Sequence, residues 1–435
     1  MFKNKILLPI IALMSLSACS GKDPITPSSN PIIDDPIFIQ HEITKPHKTF
    51  NSTHQPLNTD YVNSLKSFAL DFYSETFDSD NSVFSPLSIA TCFSMLYDGA
   101  LEDTKEEIKN ALHYSDDFNH LAEIQKMLLN NAINDTDNDT YLDIAQSLWI
   151  HDDFKDRLEE DYFQKMQDYY FAEAYQGILE SDEMHQMLTD YINAKTRNFL
   201  NVKKETFEEY EGVLWLLNTI YLKAKWQYAF PEAQNYQRAF ANIDETTAND
   251  VEYMSNVIES HYYKAENYMI STIPYIHGLT MSILLPNEGT NYQKVLTDKA
   301  NINALLEYYN SRNHMSAQMS YVIPKFKTQA SYDLTEVMPK LGIVKAFDDK
   351  LANLFGLCNL ANAKGNLYVK RSRHEAGIEV NNDGTEAAAY TIIEVDEKAV
   401  AYPEDQVKFV CNHPFTYLIG TSDGLPLFMG TVNKF

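Results

Sequence analysis

The stretch Gly212 to Trp226 reads GVLWLLNTIYLKAKW. It is nearly all apolar and rich in β-prone residues, a pattern typical of a strand that is buried on both faces at the centre of a sheet. Helical periodicity dominates the chain before this stretch, and strand patterns dominate after it. Helices early and strands late predict an α+β protein rather than an alternating parallel fold.

The other elements can be placed by the spacing of apolar residues. A helical pattern begins at Thr59 and opens one long domain, which we place at residues 58–435. Further helical patterns lie at Ser88–Leu112 and Glu159–Tyr169. The remaining predicted strands are Thr280–Pro286, Met319–Phe326, Leu367–Val380, Val407–Val410 and Phe415–Gly420.

The N-terminus has the layout of a secretory leader. A basic start, a short apolar run and small residues precede Cys19, and the apolar run is shorter than a membrane-spanning helix. Leu16–Cys19 resembles the lipobox of bacterial lipoproteins, which implies a lipoprotein signal peptide over residues 1–18 and lipid attachment at Cys19; the alternative is an ordinary cleaved signal. Ser20 at the next position favours an outer-membrane or cell-surface anchor. A proline-rich segment over residues 19–57 predicts a stiff tether, so we expect an exported lipoprotein or an extracellular protein.

Charge and length exclude several classes of function. The formal net charge of −26 is spread along the 435 residues. Such a chain repels phosphate backbones and offers no basic stripe for nucleic acid or anionic lipid. We therefore expect a globular protein with a sizeable core, no nucleic-acid partner, and membrane contact only through the lipid anchor.

The cysteines that follow the leader are widely spaced and form no CxxC pair. Cys92, Cys358 and Cys411 are odd in number and lie in apolar or neutral surroundings. This pattern argues against a disulfide framework and against a zinc site. Buried free thiols are the prediction.

Three short motifs resemble catalytic or metal sites but lack essential parts. Gly420–Gly424 fits the GxSxG pattern, yet a nucleophile elbow needs a following helix and a downstream histidine, so a hairpin turn is favoured. The acidic run Asp135–Asp139 has calcium-loop spacing, but Thr140 replaces the turn glycine and Gln146 replaces the bidentate glutamate. His374 lacks a second histidine four residues later. We predict a protein that is not an enzyme and that needs no metal or cofactor.

A series of short motifs runs from Thr59 to the C-terminus. Each motif alone is weak, but together they cover essentially the whole predicted domain. The motifs include NSVFSPLSIA at Asn81–Ala90, Met95–Ala100, Asn218–Trp226, Met281–Pro286, Ile323–Phe326, HEAGIEV at His374–Val380, GTEAAA at Gly384–Ala389, His413–Phe415 and Leu427–Gly430.

In their residues and their order, these motifs resemble the serpin family, and this resemblance implies a fold and a mechanism. The fold would have three β-sheets, about nine helices and an exposed reactive-centre loop, and the protein would be a monomer. Inhibitory serpins offer this loop as bait to serine proteases and also to cysteine proteases. The cut loop then inserts as a new strand into the largest sheet, sheet A, and inactivates the protease. A second class, the non-inhibitory serpins, acts by binding or as scaffolds, which would place such a protein at the cell surface here.

The loop segment VNNDGTEAAAYTIIEVDEK at Val380–Lys398 has the alternation that an inserting strand needs. The hinge implied by the resemblance comprises Gly384, Thr385, Glu386, Ala387, Ala388 and Ala389. From Thr385 onward, one alternate set carries no charge and the other carries three acidic groups. The uncharged set is Thr385, Ala387, Ala389, Thr391, Ile393 and Val395, and the acidic set is Glu386, Ala388, Tyr390, Ile392, Glu394 and Asp396.

The resemblance also places the bait. Inhibitory members are cut fourteen residues past the hinge glycine, which puts the reactive bond between Lys398 and Ala399 and implies insertion of residues 385–397. A lysine before the cut favours a trypsin-like target with an acidic specificity pocket. Ala399 or Tyr402 would suit subtilisin-, elastase- or papain-like proteases instead.

Two groups of residues match the family's control points for loop insertion. The shutter, a polar cluster beneath sheet A, corresponds to Ser85, Ser88, Asn218 and His374. The breach, where the loop first enters, corresponds to Trp226. Asn382 departs from the family, which usually has glutamate there, and this departure weakens the inhibitory interpretation. Non-inhibitory members usually carry charged or bulky hinge residues, which Thr385–Ala389 lacks apart from Glu386.

Overall fold

A computed structural model describes residues 11–18, 57–116, 123, 141–207, 211–311, 314–359, 366–385 and 406–435. Several sequence predictions lie outside these residues. They are the lipid site Cys19, almost all of the tether, the acidic run Asp135–Asp139, the hinge residues Glu386, Ala387, Ala388 and Ala389, and the reactive bond Lys398–Ala399.

The described residues form eight α-helices, in keeping with the predicted α+β class. Asn58 caps the first helix by accepting a hydrogen bond from the Asp60 backbone N–H, and Ser85 caps the second by accepting from the Ser88 N–H. The helices are α1 Thr59–Thr76, α2 Pro86–Gly99, α3 Glu102–Ala111, α4 Glu160–Tyr170, α5 Asp182–Lys195, α6 Tyr292–Thr297, α7 Lys299–Glu307 and α8 Leu334–Lys340.

The helical pattern predicted over Ser88–Leu112 is two helices rather than one. α2 ends at Gly99 because the chain there packs closely against another segment: a Cβ on Gly99 would lie 2.0 Å from Leu357 Cδ1. The Gly99 carbonyl accepts from the Gly356 N–H at 3.0 Å, which takes the carbonyl out of the helical pattern. Apolar spacing alone could not reveal this contact between distant parts of the chain.

Seven strands form one sheet, which corresponds to sheet A of the predicted fold. From edge to edge, the strands follow the order β11, β12, β5, β3 and β4. β1 and β13 lie end to end between β12 and β5. β1 and β13 each lie antiparallel to both β12 and β5. The strands, numbered along the chain, are β1 Ile11–Ala18, β3 Tyr141–His151, β4 Glu173–Gly177, β5 Leu214–Lys225, β11 Phe326–Asp333, β12 Leu367–Val380 and β13 Gly384–Thr385.

The other two predicted sheets share one long strand. β7 pairs with β6 along its first part, with β10 over residues 253–262 and with β8 at its end. Nine strands are thereby linked in the order β14, β10, β7, β8, β9, β15, β16 and β2, with β6 beside β7. The strands are β2 Ser82–Phe84, β6 Tyr236–Ala241, β7 Thr247–Lys264, β8 Tyr268–Pro274, β9 Leu279–Pro286, β10 Met315–Pro324, β14 Val407–Val410, β15 Phe415–Thr421 and β16 Pro426–Val432.

The GxSxG segment is a hairpin turn, as predicted. β15 and β16 pair antiparallel on either side of it, and Gly424 has a φ of +80° that suits glycine in a tight turn. No helix follows, so the serine is not on a nucleophile elbow.

The core lies on both sides of sheet A, with β5 at its centre. Every residue of β5 from Leu214 to Leu222 is buried, which confirms the prediction of a central strand. Cys92, Cys358 and Cys411 are buried free thiols, as predicted, and burial raises the pKa of Cys358 to about 12. Among the described helices, none is both long and apolar enough to cross a membrane. The described side chains also contain no group of three or more His, Cys, Asp or Glu that could hold a metal ion.

Candidate functional site: the parted strands of sheet A

β5 and β12 are neighbours in sheet A but do not pair with each other directly. At one end β13 lies between them, with Thr385 opposite both Val380 and Ala224. At the other end β1 lies between them, with Ala12 opposite both Asn218 and His374. In between, no described strand separates residues 219–223 of β5 from residues 376–379 of β12, so the described part of the sheet has an open slot about five residues long.

A narrow crevice with a cavity volume of only about 10 Å³ lies at this slot. Its lining includes Thr385, the last described residue before the reactive loop, and is otherwise mostly apolar or aromatic. The lining residues are Phe199, Tyr221, Leu222, Gly377, Ile378, Glu379, Thr385, Ile419 and Phe428. A chain that continues from β13 in an extended conformation would run along this crevice.

Gly384, the first residue of the predicted hinge, lies where a side chain would clash. A Cβ on Gly384 would lie 2.0 Å from the Ala224 carbonyl oxygen, far inside van der Waals contact. The neighbouring Thr385 side chain points into the core, where its hydroxyl shares a hydrogen bond of 2.5 Å with the Tyr275 hydroxyl. Only 5% of Thr385 is exposed, so the first residue of the uncharged set already lies on the inner face of the sheet.

Trp226, the predicted breach residue, holds the turn that precedes the hinge. Its indole Nε1–H donates to the Asn381 carbonyl at 3.0 Å, and its backbone N–H donates to the Asp383 carbonyl at 2.9 Å. Its ring stacks on Tyr275 with centroids 4.2 Å apart and 8° between the ring planes. Trp226 and Tyr275 therefore form an aromatic support beneath residues 381–385.

Asn382, the departure from the family pattern, is buried and hydrogen bonded. Its Nδ2 donates to the Phe230 carbonyl at 2.8 Å and to Asn235 Oδ1 at 2.9 Å. Asn235 Nδ2 donates in return to Asn382 Oδ1 at 3.0 Å. The amide thus has partners that the sequence did not reveal, because nothing in the pattern around Asn235 marks it as a partner of a residue 147 positions away.

The four predicted shutter residues are all buried beneath sheet A. His374 Nε2 accepts from the Ser85 backbone N–H at 3.0 Å, and Ser85 Oγ accepts from the Ser88 N–H at 3.1 Å. The structure therefore joins β12 to the start of α2 through Ser85. Within the described part of the chain, the Asn218 amide and the Ser88 hydroxyl have no hydrogen-bond partner.

Tyr332 and Glu375 belong to this region but were not among the predicted residues. The Tyr332 ring lies parallel to the His374 ring, with centroids 6.2 Å apart. Glu375, on the opposite face of β12, is only 1% exposed, and burial raises its pKa to about 7. Arg373 Nε lies 2.8 Å from a Glu375 oxygen, but its N–H points to Ser331 Oγ, so it only partly offsets the burial.

Known proteins share this architecture. A family model described as Serpin (serine protease inhibitor) matches residues 63–435. A serpin-like protein of Thermococcus kodakarensis is 26% identical over 432 residues, which is 98% of each chain. The native state of the thermophilic serpin tengpin has a TM-score of 0.73 at 22% identity and covers 88% of this chain and 96% of its own. Human thyroxine-binding globulin has a TM-score of 0.69 at 23% identity and covers 86% of this chain and 98% of its own.

These likenesses agree with the fold and the order of elements described above. Serpins are in general protease inhibitors rather than enzymes, so a protease is the general class of partner. Because the family match spans most of the chain, this protein belongs to the serpin family.

Proposed function

We propose that this protein inhibits serine endopeptidases, and cysteine endopeptidases as a second class, by the suicide-substrate mechanism. A serine protease would attack the Lys398 carbonyl carbon, form an ester with it and release the amine of Ala399. Residues 385–397 would then insert into sheet A before water hydrolyses the ester. The observation that carries this proposal is β13, which already lies paired between β5 and β12 at the mouth of an open slot.

The register of β13 indicates where each inserted residue would lie. Thr385 is opposite Ala224 and Val380, so continuing the antiparallel pairing places Glu386 opposite Lys223 and Glu379. Residues 386–390 would fill the open slot opposite residues 223–219 of β5. Thr391 would then reach Asn218 and His374, the two residues that flank Ala12 of β1.

The alternation of the loop fits the two faces of the slot. Thr385 faces inward, so the whole uncharged set would follow it onto the inner face, where a charge without a partner would cost several kcal/mol. On that face, Thr391 would bring a hydroxyl to the level of Asn218, whose amide lacks a partner in the described residues. The acidic set would lie on the outer face.

The predicted bait residue indicates the class of target protease, and the leader indicates where the protein acts. Lys398 favours trypsin-like proteases, and Ala399 or Tyr402 would serve subtilisin-, elastase- or papain-like ones. With lipid at Cys19 and a proline-rich tether, the inhibitor would be held as a monomer at the outer membrane or cell surface, or released outside the cell.

The alternative is a non-inhibitory serpin that acts as a binding or scaffold protein at the cell surface. The observation that favours it is Asn382, which stands where the family usually has glutamate. In that case the loop would be cut without trapping the protease.

Incubation with trypsin, subtilisin, elastase and papain separates the two functions. We expect an SDS-stable complex with trypsin and a released peptide that begins at Ala399. Lys398→Ala should abolish the trypsin complex, whereas Lys398→Arg should keep it. Clean cleavage by all four proteases without any complex would contradict inhibition and favour the alternative.

A further inference from the structure

We propose that Asn235 and Asn382 form an amide clamp that fixes the pivot of the reactive loop, and that both act as positioning residues for inhibition. The effect of the clamp on inhibition rests on the proposed function. The hydrogen bonds that form the clamp do not depend on that function, because they all lie within the described residues.

The clamp is a cyclic pair of amides. Each side chain donates through Nδ2 to the other's Oδ1, at 2.9 and 3.0 Å. The second Nδ2–H of Asn382 donates to the Phe230 carbonyl at 2.8 Å, and only 5% of Asn382 is exposed. Both donors of the buried amide are therefore used, and the pairing needs no buried charge.

Backbone hydrogen bonds extend the clamp across the turn. The Phe230 N–H donates to the Asn382 carbonyl at 3.0 Å, so Asn382 is bound to Phe230 from both its backbone and its side chain. Asn381 Oδ1 accepts from the N–H groups of Asp383 and Gly384, at 3.0 and 3.3 Å. Residues 381–384 are thus tied both to the segment 226–230 and to one another.

The position of this turn sets the register of the inserted strand. Residues 381–383 precede the slot and would stay in place while Glu386 and its successors enter. A slip of one residue at the turn would exchange the two faces of the strand and direct Glu386 and Glu394 into the core. A fixed pivot therefore keeps the uncharged set on the inner face and the acidic set on the outer face. Asn382 supplies that pivot at the position where the family usually has glutamate.

Alanine and isosteric variants test the clamp against a matched control. Asn382→Ala and Asn235→Ala each remove the amide pair, and Asn382→Asp keeps the volume but removes both donors. The control is Asn256→Ala, because Asn256 Nδ2 donates to the Ala229 carbonyl at 2.8 Å, one residue before Phe230, and does not touch the hinge. All variants would be prepared as the exported protein, alongside the wild type.

Hydrogen exchange of the hinge is the first measurement. In the three clamp variants we expect the amides of residues 381–385 to exchange about tenfold faster than in the wild type, since each variant loses two or more anchoring hydrogen bonds. Asn256→Ala should leave this segment unchanged. Unchanged exchange in Asn382→Ala and Asn382→Asp would overturn the clamp, whether or not the protein inhibits any protease.

The partition between trapped and released trypsin is the second measurement. We expect the clamp variants to give at least about threefold more cleaved product per complex than the wild type and Asn256→Ala. Faster exchange with an unchanged partition would overturn the positioning role. If the wild type forms no complex at all, the proposed function fails and so does the positioning role, while the exchange result still decides whether the clamp exists.

Discussion

At the scale of single residues, the buried Glu375 carboxyl destabilises the folded protein when it is charged. It is buried on β12 beside the slot, and neither oxygen accepts a hydrogen bond within the described structure. Its pKa is raised to about 7, so its charged form is costly in the folded state. This cost lowers the free energy of unfolding of the intact protein at neutral pH.

This cost predicts a specific dependence of stability on pH. The pKa of Glu375 is higher in the folded than in the unfolded protein, so its effect appears as pH rises from about 4 to about 7 and is complete above pH 7. We expect Glu375→Gln to raise the free energy of unfolding by about 3 kcal/mol at pH 8 and by almost nothing at pH 4. Denaturant titrations at both pH values measure this. An equal effect at the two pH values would contradict it.

Single residues also show how far the sequence can be taken. The motifs located His374, Ser85 and Trp226, because each of these residues lies in a motif that matches the family in its residues and in its order along the chain. The partners of Asn382 and the burial of Glu375 could not be predicted, because both depend on contacts between segments distant in sequence.

At the scale of secondary structure, the decisive element is the strand that the loop would form. Its inner face would lie against the apolar slot, whereas its outer face would keep the acidic side chains. Ala387→Arg would place a charge on the inner face opposite Leu222, where it has no partner. We expect this variant to be cleaved by trypsin as an ordinary substrate, with less than about a tenth of the wild-type complex.

The matched control is an arginine one position earlier. Glu386→Arg would lie on the outer face between Lys223 and Glu379, so we expect it to retain most of the complex. SDS gels of both variants with trypsin measure the difference. Equal amounts of complex from both variants would contradict insertion in the proposed register.

The strands that the sequence revealed best lie at the centre of sheet A. β5 is long and apolar, whereas β12 is long but carries many polar and charged residues, and the predicted bounds of both are close to the observed ones. β6 and β7 were missed because their exposed and partly exposed positions carry many polar residues, which mask the strand pattern. The gap in sheet A could not be seen from either strand alone, since it depends on what lies between them.

At the scale of the whole molecule, the leader and the reactive loop compete for one place. β1 pairs with residues 214–218 of β5, and the loop from Thr391 onward would need the same partners. We expect the full chain, with residues 1–18 retained, to be cleaved by trypsin with little complex, and the exported form to trap it. SDS gels of the two forms measure this difference.

A proline in the leader tests the competition directly. Met14 is paired with Leu216 and Ser372, and a proline there would remove a ladder hydrogen bond from a central strand. Met14→Pro in the full chain should therefore restore the complex. No difference among the full chain, this variant and the exported form would show that β1 does not block the loop.

The central claim is that the cut loop becomes a strand of sheet A, and the unfolding temperature of the exported protein tests it most directly. Filling the slot adds hydrogen bonds along residues 219–223 and 376–379, so cleavage within the loop should raise the midpoint by on the order of 10 °C or more. Ala387→Arg should be cleaved without such a rise. An unchanged midpoint after complete cleavage of the wild-type loop would contradict the account.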